Sequence, residues 1–152
     1  MGRAREIMEL ITQAVMAGDR AGLERLYAPD AVADTPDAGR LEGREAIVEW
    51  LGSFKPAFPD MSWEAITQHE IGDTAIDEGY VVGTHTGVLR APDGDVPPTG
   101  RSLRMRECDL VTVSDGVAVS HRFYYDQLDF MTQLGLMDST TSAVAAESAG
   151  GG

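Results

Sequence analysis

The run from His121 to Leu128 combines residue types and a spacing that suit acid/base chemistry. Its first residues alternate between polar and aromatic side chains, as in a strand, and the residues after Asp126 follow the period of an amphipathic helix. A carboxylate surrounded by aromatic groups is poorly hydrated and can serve as a general acid or base. Because Asp is a favoured helix N-cap, the alternative is that Asp126 only caps the helix that follows.

Strand alternation divides the residues of this run between the two faces of a sheet. Arg122, Tyr124 and Asp126 share one face, and His121 lies on the other. If Asp126 is catalytic, Arg122 and Tyr124 are expected beside it in a substrate pocket. His121 is then expected on the outer face of the sheet.

Three further polar residues are candidates for the same pocket. His85 lies two residues from a glycine on either side, which leaves space for a ligand or allows close packing of the sheet. Asp34 could line a pocket or stabilise a turn through its side chain. Asp109 lies inside a predicted strand, where Asp is disfavoured, so we expect either a pocket position or an ion pair with Arg104 or Arg106.

An apolar pocket could be lined by four aromatic side chains, Trp50, Phe54, Phe58 and Trp63, although their spacing equally suits core packing. The sequence contains no HExxH, CxxC, Walker, GxGxxG or GxSxG motif. Its histidines show no ligand spacing, and Cys108 is expected to be a small buried residue on a strand rather than a nucleophile. The sequence therefore predicts neither a metal site nor a cofactor.

Charge and composition exclude several classes of function. The chain has 152 residues and a net charge of −13, so nucleic acid and anionic membranes are not expected as partners. Its single cysteine cannot form an internal disulfide, which favours a reducing compartment. The first residues lack the continuous apolar segment of a signal peptide, and no apolar run is long enough to cross a membrane. We therefore expect a cytoplasmic protein.

The order of the predicted elements indicates the fold class. Helical spacing predicts helices over residues 5–17 and 43–54, with a short helix between them that carries Leu23, Leu26 and Tyr27. Strand alternation then dominates to residue 126, and helices followed by a strand meander predict an α+β fold with a curved antiparallel sheet. One domain is expected over residues 1–137, followed by a disordered tail rich in Ser, Ala and Gly over 138–152.

Several short motifs together resemble the nuclear transport factor 2-like superfamily and, within it, the SnoaL-like polyketide cyclases. The similarity covers about residues 5–136, and four stretches carry it: Leu26-Tyr27-Ala28-Pro29-Asp30-Ala31-Val32, Leu41-Glu42-Gly43-Arg44-Glu45-Ala46-Ile47, Gly83-Thr84-His85-Thr86-Gly87 and Pro97-Pro98-Thr99-Gly100-Arg101. The resemblance implies a cone-shaped barrel in which a bent sheet wraps around three N-terminal helices, with a short C-terminal helix and an apolar pocket open at one end.

The resemblance also implies a chemistry. SnoaL-type cyclases close a ring by an intramolecular aldol reaction on an aromatic polyketide ester, without metal or cofactor. Their catalytic aspartate lies on the last strand and matches Asp126, and a histidine that matches His85 points into the same pocket. Ketosteroid isomerase shares the fold, and its two carboxyl groups match Asp34 and Asp109. Its essential tyrosine, however, corresponds to Ile11, which places steroid isomerisation in doubt.

Three functions remain open from the sequence. The first is a cofactor-free cyclase that acts on a hydrophobic, polyketide-like carbonyl compound, with Asp126 as the base and Asp126 or His85 as the proton donor. The second is an isomerase, dehydratase or epoxide hydrolase, which a dominant role of Asp34 or Asp109 would favour. The third is a non-catalytic protein that binds a small hydrophobic molecule. The resemblance further implies a homodimer formed through the outer sheet face.

Overall fold

A computed structural model describes residues 3–137, so the predicted tail over 138–152 lies outside the described residues. Asp19 begins the second helix as an N-cap, because its carboxylate accepts a hydrogen bond from the Gly22 amide at 2.9 Å. The helices are α1 (Arg3–Ala17), α2 (Arg20–Leu26), α3 (Arg44–Gly52), α4 (Phe54–Ala57) and α5 (Gln127–Gln133). None of the helices within 3–137 is long and apolar enough to cross a membrane.

Six strands form one curved, open sheet, in the order β2-β1-β8-β7-β4-β3, and β5 and β6 form a separate hairpin. The strands are β1 (Tyr27–Thr35), β2 (Gly39–Glu42), β3 (Ser62–Ile71), β4 (Thr74–Thr84), β5 (Leu89–Ala91), β6 (Gly94–Val96), β7 (Ser102–Ser114) and β8 (Val117–Tyr125). The α+β prediction is confirmed.

The first strand differs from the prediction in two ways. It begins at Tyr27, which the sequence pattern assigned to the second helix, and it pairs with β8 in parallel rather than antiparallel orientation. Tyr27 is fully buried at the start of this strand. This position brings the Tyr27 hydroxyl close to His121 of β8.

Strand register decides which side chains face the helices. Asp77 pairs with Asp109, and Asp109 pairs with Phe123, so these three residues share one row across β4, β7 and β8. The next row contains Gly79, Glu107 and Tyr125. Helix α1 contacts β3, β4, β7 and β8, and its apolar face packs on the concave side of the sheet. These rows therefore lie on the inner, helix-facing side.

Candidate active site

A narrow, mostly apolar cavity lies between α1, α3, α4 and the inner face of the sheet, and Phe130 of α5 lies at one side. The space that the centre of a water molecule can reach inside it is about 80 Å³. Ligand pockets commonly measure roughly 300–1,000 Å³. The cavity as it stands therefore suits a small ligand, and a larger polycyclic ligand requires its walls to move.

A polar region of the cavity wall is built from residues far apart in the sequence. The hydroxyl oxygen of Tyr27 is 2.6 Å from Nδ1 of His121, and Nε2 of His121 is 2.6 Å from Oδ2 of Asp109. A neutral ring satisfies both bonds when Nε2 carries the proton and Nδ1 accepts from the Tyr27 hydroxyl. Burial raises the pKa of Tyr27 well above its usual value, which keeps that hydroxyl protonated. His121 is thus fixed in orientation and holds Asp109 at the cavity wall.

Glu107 lies two residues before Asp109 on the same face of β7 and also lines the cavity. Its side chain makes no hydrogen bond to any residue in the described part of the chain. Burial raises the pKa of Glu107 well above its usual value, and the nearby Asp109 and Asp77 carboxyl groups raise it further. Glu107 therefore favours the protonated acid, which can donate a hydrogen bond or a proton to a ligand.

An ion pair lies behind this polar region. Nη1 of Arg5, on α1, is 2.6 Å from Oδ1 of Asp77, and both side chains are buried. Burial raises the pKa of Asp77, and the Arg5 guanidinium opposes that rise. Since Asp77 pairs with Asp109 in the sheet, Arg5 brings a positive charge close to a cluster of three carboxyl groups.

Five of the predicted pocket residues do line the cavity: Asp109 and the aromatic residues Trp50, Phe54, Phe58 and Trp63. Asp109 does not pair with Arg104 or Arg106, because these arginines project from the opposite face of β7 to Glu64 and Glu78. Asp109 instead forms its side-chain hydrogen bond with His121.

The predicted pocket position of Asp126 is wrong. Asp126 is exposed, and its carboxylate caps α5 by accepting a hydrogen bond from the Asp129 amide at 3.0 Å. The alternation along β8 was correctly predicted but its direction was reversed, because His121 and Phe123 face the helices. Tyr124, which is 57% exposed, therefore projects outward together with Arg122.

Asp34 also lies outside the cavity. It pairs with Arg122 across β1 and β8 and therefore shares the outer face. Its carboxylate is half-exposed and lies 4.0 Å from the Arg40 guanidinium. Asp34, Tyr124 and Asp126 line a shallow, open groove at the end of these strands instead.

His85 is fully buried but is not part of the cavity wall. Its Nδ1 accepts a hydrogen bond from the Thr99 amide at 3.2 Å, and its ring stacks on Phe58 with centroids 5.2 Å apart. The His85 amide donates to the Arg101 carbonyl, and its carbonyl accepts from the Gly100 amide. Burial lowers the pKa of His85. The predicted proton-transfer role therefore has no geometric support, and His85 holds the segment after β6 in place.

Sequence reasoning missed Glu107 and Tyr27 and placed His121 on the wrong face. The expectation of an outer-face His121 is wrong, because its ring is 1% exposed and lines the cavity. A signal for Glu107 existed, since Glu107 and Asp109 are two carboxyl groups with strand spacing and therefore share one face. Tyr27 gave no such signal, because its partner is 94 residues away.

The sheet and helices have the nuclear transport factor 2-like α+β fold. Within that fold class the chain belongs to the SnoaL-like domain family, whose sequence pattern matches residues 7–121. No group of three or more His, Cys, Asp or Glu side chains within 3–137 is arranged to hold a metal ion. A comparison with curated proteins found no match.

Solved structures support the same fold. A protein from Jannaschia sp. CCS1 named as a SnoaL-like polyketide cyclase is 19% identical, with a TM-score of 0.75 over 87% of this chain and 91% of that chain. IdmH from Streptomyces antibioticus, named as a polyketide cyclase, is 29% identical, with a TM-score of 0.68 over 86% and 96%. An LEH-like epoxide hydrolase from M. tuberculosis is 15% identical, with a TM-score of 0.66 over 95% and 96%.

Proposed function

We propose that the protein catalyses proton transfer next to the carbonyl group of a small, neutral, apolar compound bound in the cavity. One observation carries the proposal: two carboxyl groups, Glu107 and Asp109, enter the same apolar cavity in different environments. Glu107 has no hydrogen-bond partner among the described residues, and His121 holds Asp109 at 2.6 Å. Two carboxyl groups in unlike surroundings are a common basis for paired acid and base roles.

The spacing of the two groups suits a carbonyl compound. Residues two apart on a strand lie roughly 6–7 Å apart along its axis. A carbonyl oxygen within hydrogen-bond distance of Glu107 then leaves the adjacent carbon within reach of Asp109.

In the proposed reaction, the Asp109 carboxylate takes a proton from the carbon next to the carbonyl group. The electron pair of that C–H bond forms the enolate, and the protonated Glu107 stabilises the developing negative charge on oxygen. The enolate then takes a proton back at carbon, which gives exchange or isomerisation. Alternatively, it attacks a second carbonyl carbon, which gives aldol ring closure, and the new alkoxide takes the proton that Asp109 removed.

The charge of the cavity restricts the ligand. Neither Lys nor Arg is among the described residues that line it, while Glu107 and Asp109 are. A carboxylate ligand would contact no Lys or Arg among these lining residues, and Asp109 would repel it. The proposed ligand is therefore a neutral ketone or ester rather than a free acid.

Proton removal is common to two of the functions that the sequence left open. Asp109 lines the cavity and Asp126 does not. This favours an isomerase-like proton transfer over a cyclase that depends on Asp126. IdmH, at 29% identity and named as a polyketide cyclase, supports ring closure as the step that follows. The narrow cavity favours a small substrate for either outcome.

Deuterium exchange provides a test that does not require the natural substrate. We propose 2-tetralone as the probe, because it is flat and neutral and carries an activated C–H bond next to its carbonyl group. The wild-type protein in D₂O should accelerate exchange, followed by ¹H NMR. Asp109→Asn should lower the rate by about 100-fold or more, and Glu107→Gln should also slow it, since general acid/base groups contribute roughly 10²–10⁴-fold.

Binding provides the control for ligand charge. The protein should bind 2-tetralone at least about tenfold more tightly than 2-naphthoate, a flat anion of similar size, which corresponds to about 1.4 kcal/mol. Wild-type exchange rates in folded Asp109→Asn, or tighter binding of the anion, would contradict the proposal.

A further inference from the structure

The turn between β1 and β2 contains a carboxylate that bonds to two aromatic side chains from other elements. Oδ1 of Asp37 accepts hydrogen bonds from Nε1 of Trp50 at 3.1 Å and from the Tyr125 hydroxyl at 3.1 Å. It also accepts from the Ala38 amide at 2.8 Å. Asp37 thereby connects the turn to α3 and to the end of β8.

The turn itself is fixed by local hydrogen bonds. Oγ1 of Thr35 accepts from the Ala38 amide at 2.9 Å and donates to the Gly39 carbonyl at 3.1 Å. Gly39 has φ of +68°, a conformation that favours glycine. Asp37 is therefore presented from a rigid frame rather than from a loose loop.

Trp50, which donates a hydrogen bond to the Asp37 carboxylate, forms part of the cavity wall. Its indole packs edge-on against Phe54, with ring centroids 5.1 Å apart, and against Phe123, with centroids 4.8 Å apart. All three rings line the cavity. Rotation of the indole would change the width of the cavity, because its neighbours pack directly against it.

We propose that Asp37 is a positioning residue that sets the width of the cavity, and with it the preference for small over larger flat ligands, by fixing Trp50. This proposal rests on the cavity as the ligand site, but not on which reaction occurs there. Removal of the carboxylate leaves the N–H of Trp50 and the O–H of Tyr125 without their acceptor. The Trp50 indole then gains freedom to rotate, and this part of the cavity wall loses its fixed position.

The first measurement follows Trp50 directly and needs no ligand. The chain has two tryptophans, so ¹H–¹⁵N spectra contain two indole N–H signals, which Trp63→Phe assigns. Asp37→Ala should move the Trp50 signal upfield and speed its exchange with water. Asp34→Ala is the matched control three residues earlier, near the end of β1, since its carboxylate is half-exposed and lies 4.0 Å from Arg40. It should leave the Trp50 signal unchanged.

The second measurement compares two flat ketones, the bicyclic 2-tetralone and the tricyclic anthrone. Asp37→Ala should weaken 2-tetralone binding by about three- to tenfold. It should weaken anthrone binding less, so that the preference for the smaller ketone falls. Asp37→Asn, which keeps one acceptor oxygen, should lie between Asp37→Ala and the wild type in both measurements.

The outcomes separate this proposal from the proposed reaction. An unchanged Trp50 signal in Asp37→Ala, or the same signal change in Asp34→Ala, would overturn the positioning role whatever the chemistry of the site. A shifted Trp50 signal without any change in ketone preference would overturn the role in selecting ligand size. Absent deuterium exchange in the wild type would contradict the proposed reaction and leave the Asp37 measurements interpretable.

Discussion

Replacing Asp126 with Ala should reduce stability slightly and leave proton transfer in the cavity intact. The Asp126 carboxylate makes one structural hydrogen bond, to the Asp129 amide at 3.0 Å, and it faces solvent at the start of α5. The cavity wall does not include it. Its removal therefore affects the end of a helix and not the polar region around His121.

The expected loss of stability follows from the energy of the N-cap hydrogen bond. Loss of an Asp N-cap costs about 1 kcal/mol. For a chain of this length that change lowers the melting temperature by roughly 2–4 °C. Helix α5 itself remains in place, because Phe130 and Leu134 are buried and anchor it to the rest of the core.

Thermal unfolding and deuterium exchange, measured on Asp126→Ala and Asp109→Asn, test whether Asp126 or Asp109 belongs to the site. Thermal unfolding of Asp126→Ala should show the small decrease in melting temperature, and its rate of 2-tetralone exchange should stay within about twofold of the wild type. Asp109→Asn should show the reverse pattern, with a folded protein and little exchange. A loss of exchange in Asp126→Ala as large as that in Asp109→Asn would refute the assignment of the site to the cavity.

Three further predictions concern Glu107, Gly79 and the outer sheet face. Burial raises the pKa of Glu107 above its ordinary value of 4.5, so the folded protein keeps a proton that the unfolded chain releases, and stability falls as the pH rises from that value. In urea unfolding, Glu107→Gln should therefore be more stable than the wild type at pH 7, and the difference should shrink toward pH 4.5. Gly79→Ala should destabilise by about 1–3 kcal/mol, because the new Cβ would lie 2.4 Å from the Glu64 carbonyl oxygen and 2.7 Å from the Trp63 ring. Gly52→Ala, whose Cβ would have its nearest atom at 3.9 Å, should cost nothing measurable. The chain should sediment as a homodimer at micromolar concentration through the outer sheet face, and a monomer would contradict that expectation.

Local sequence was sufficient to predict the fold class and the elements whose residues follow a clear period. The apolar spacing of α1 and α3 and the alternation in β4, β7 and β8 are properties of adjacent residues, so they are visible without a structure. The cap interpretation of Asp126 could also be written down from the sequence, because an N-cap depends on the residues that directly follow it.

Tertiary structure alone decided which face of the sheet points inward. Period-two alternation has two solutions that fit the sequence of β8 equally well, and only packing against α1 selects the one that buries His121. The candidate site depends on that choice, because Tyr27, Asp77, Asp109 and His121 come from three strands of one sheet and the start of a fourth. Contacts between residues as distant as Tyr27 and His121 are set by register and by burial of the whole sheet, and no local pattern encodes them.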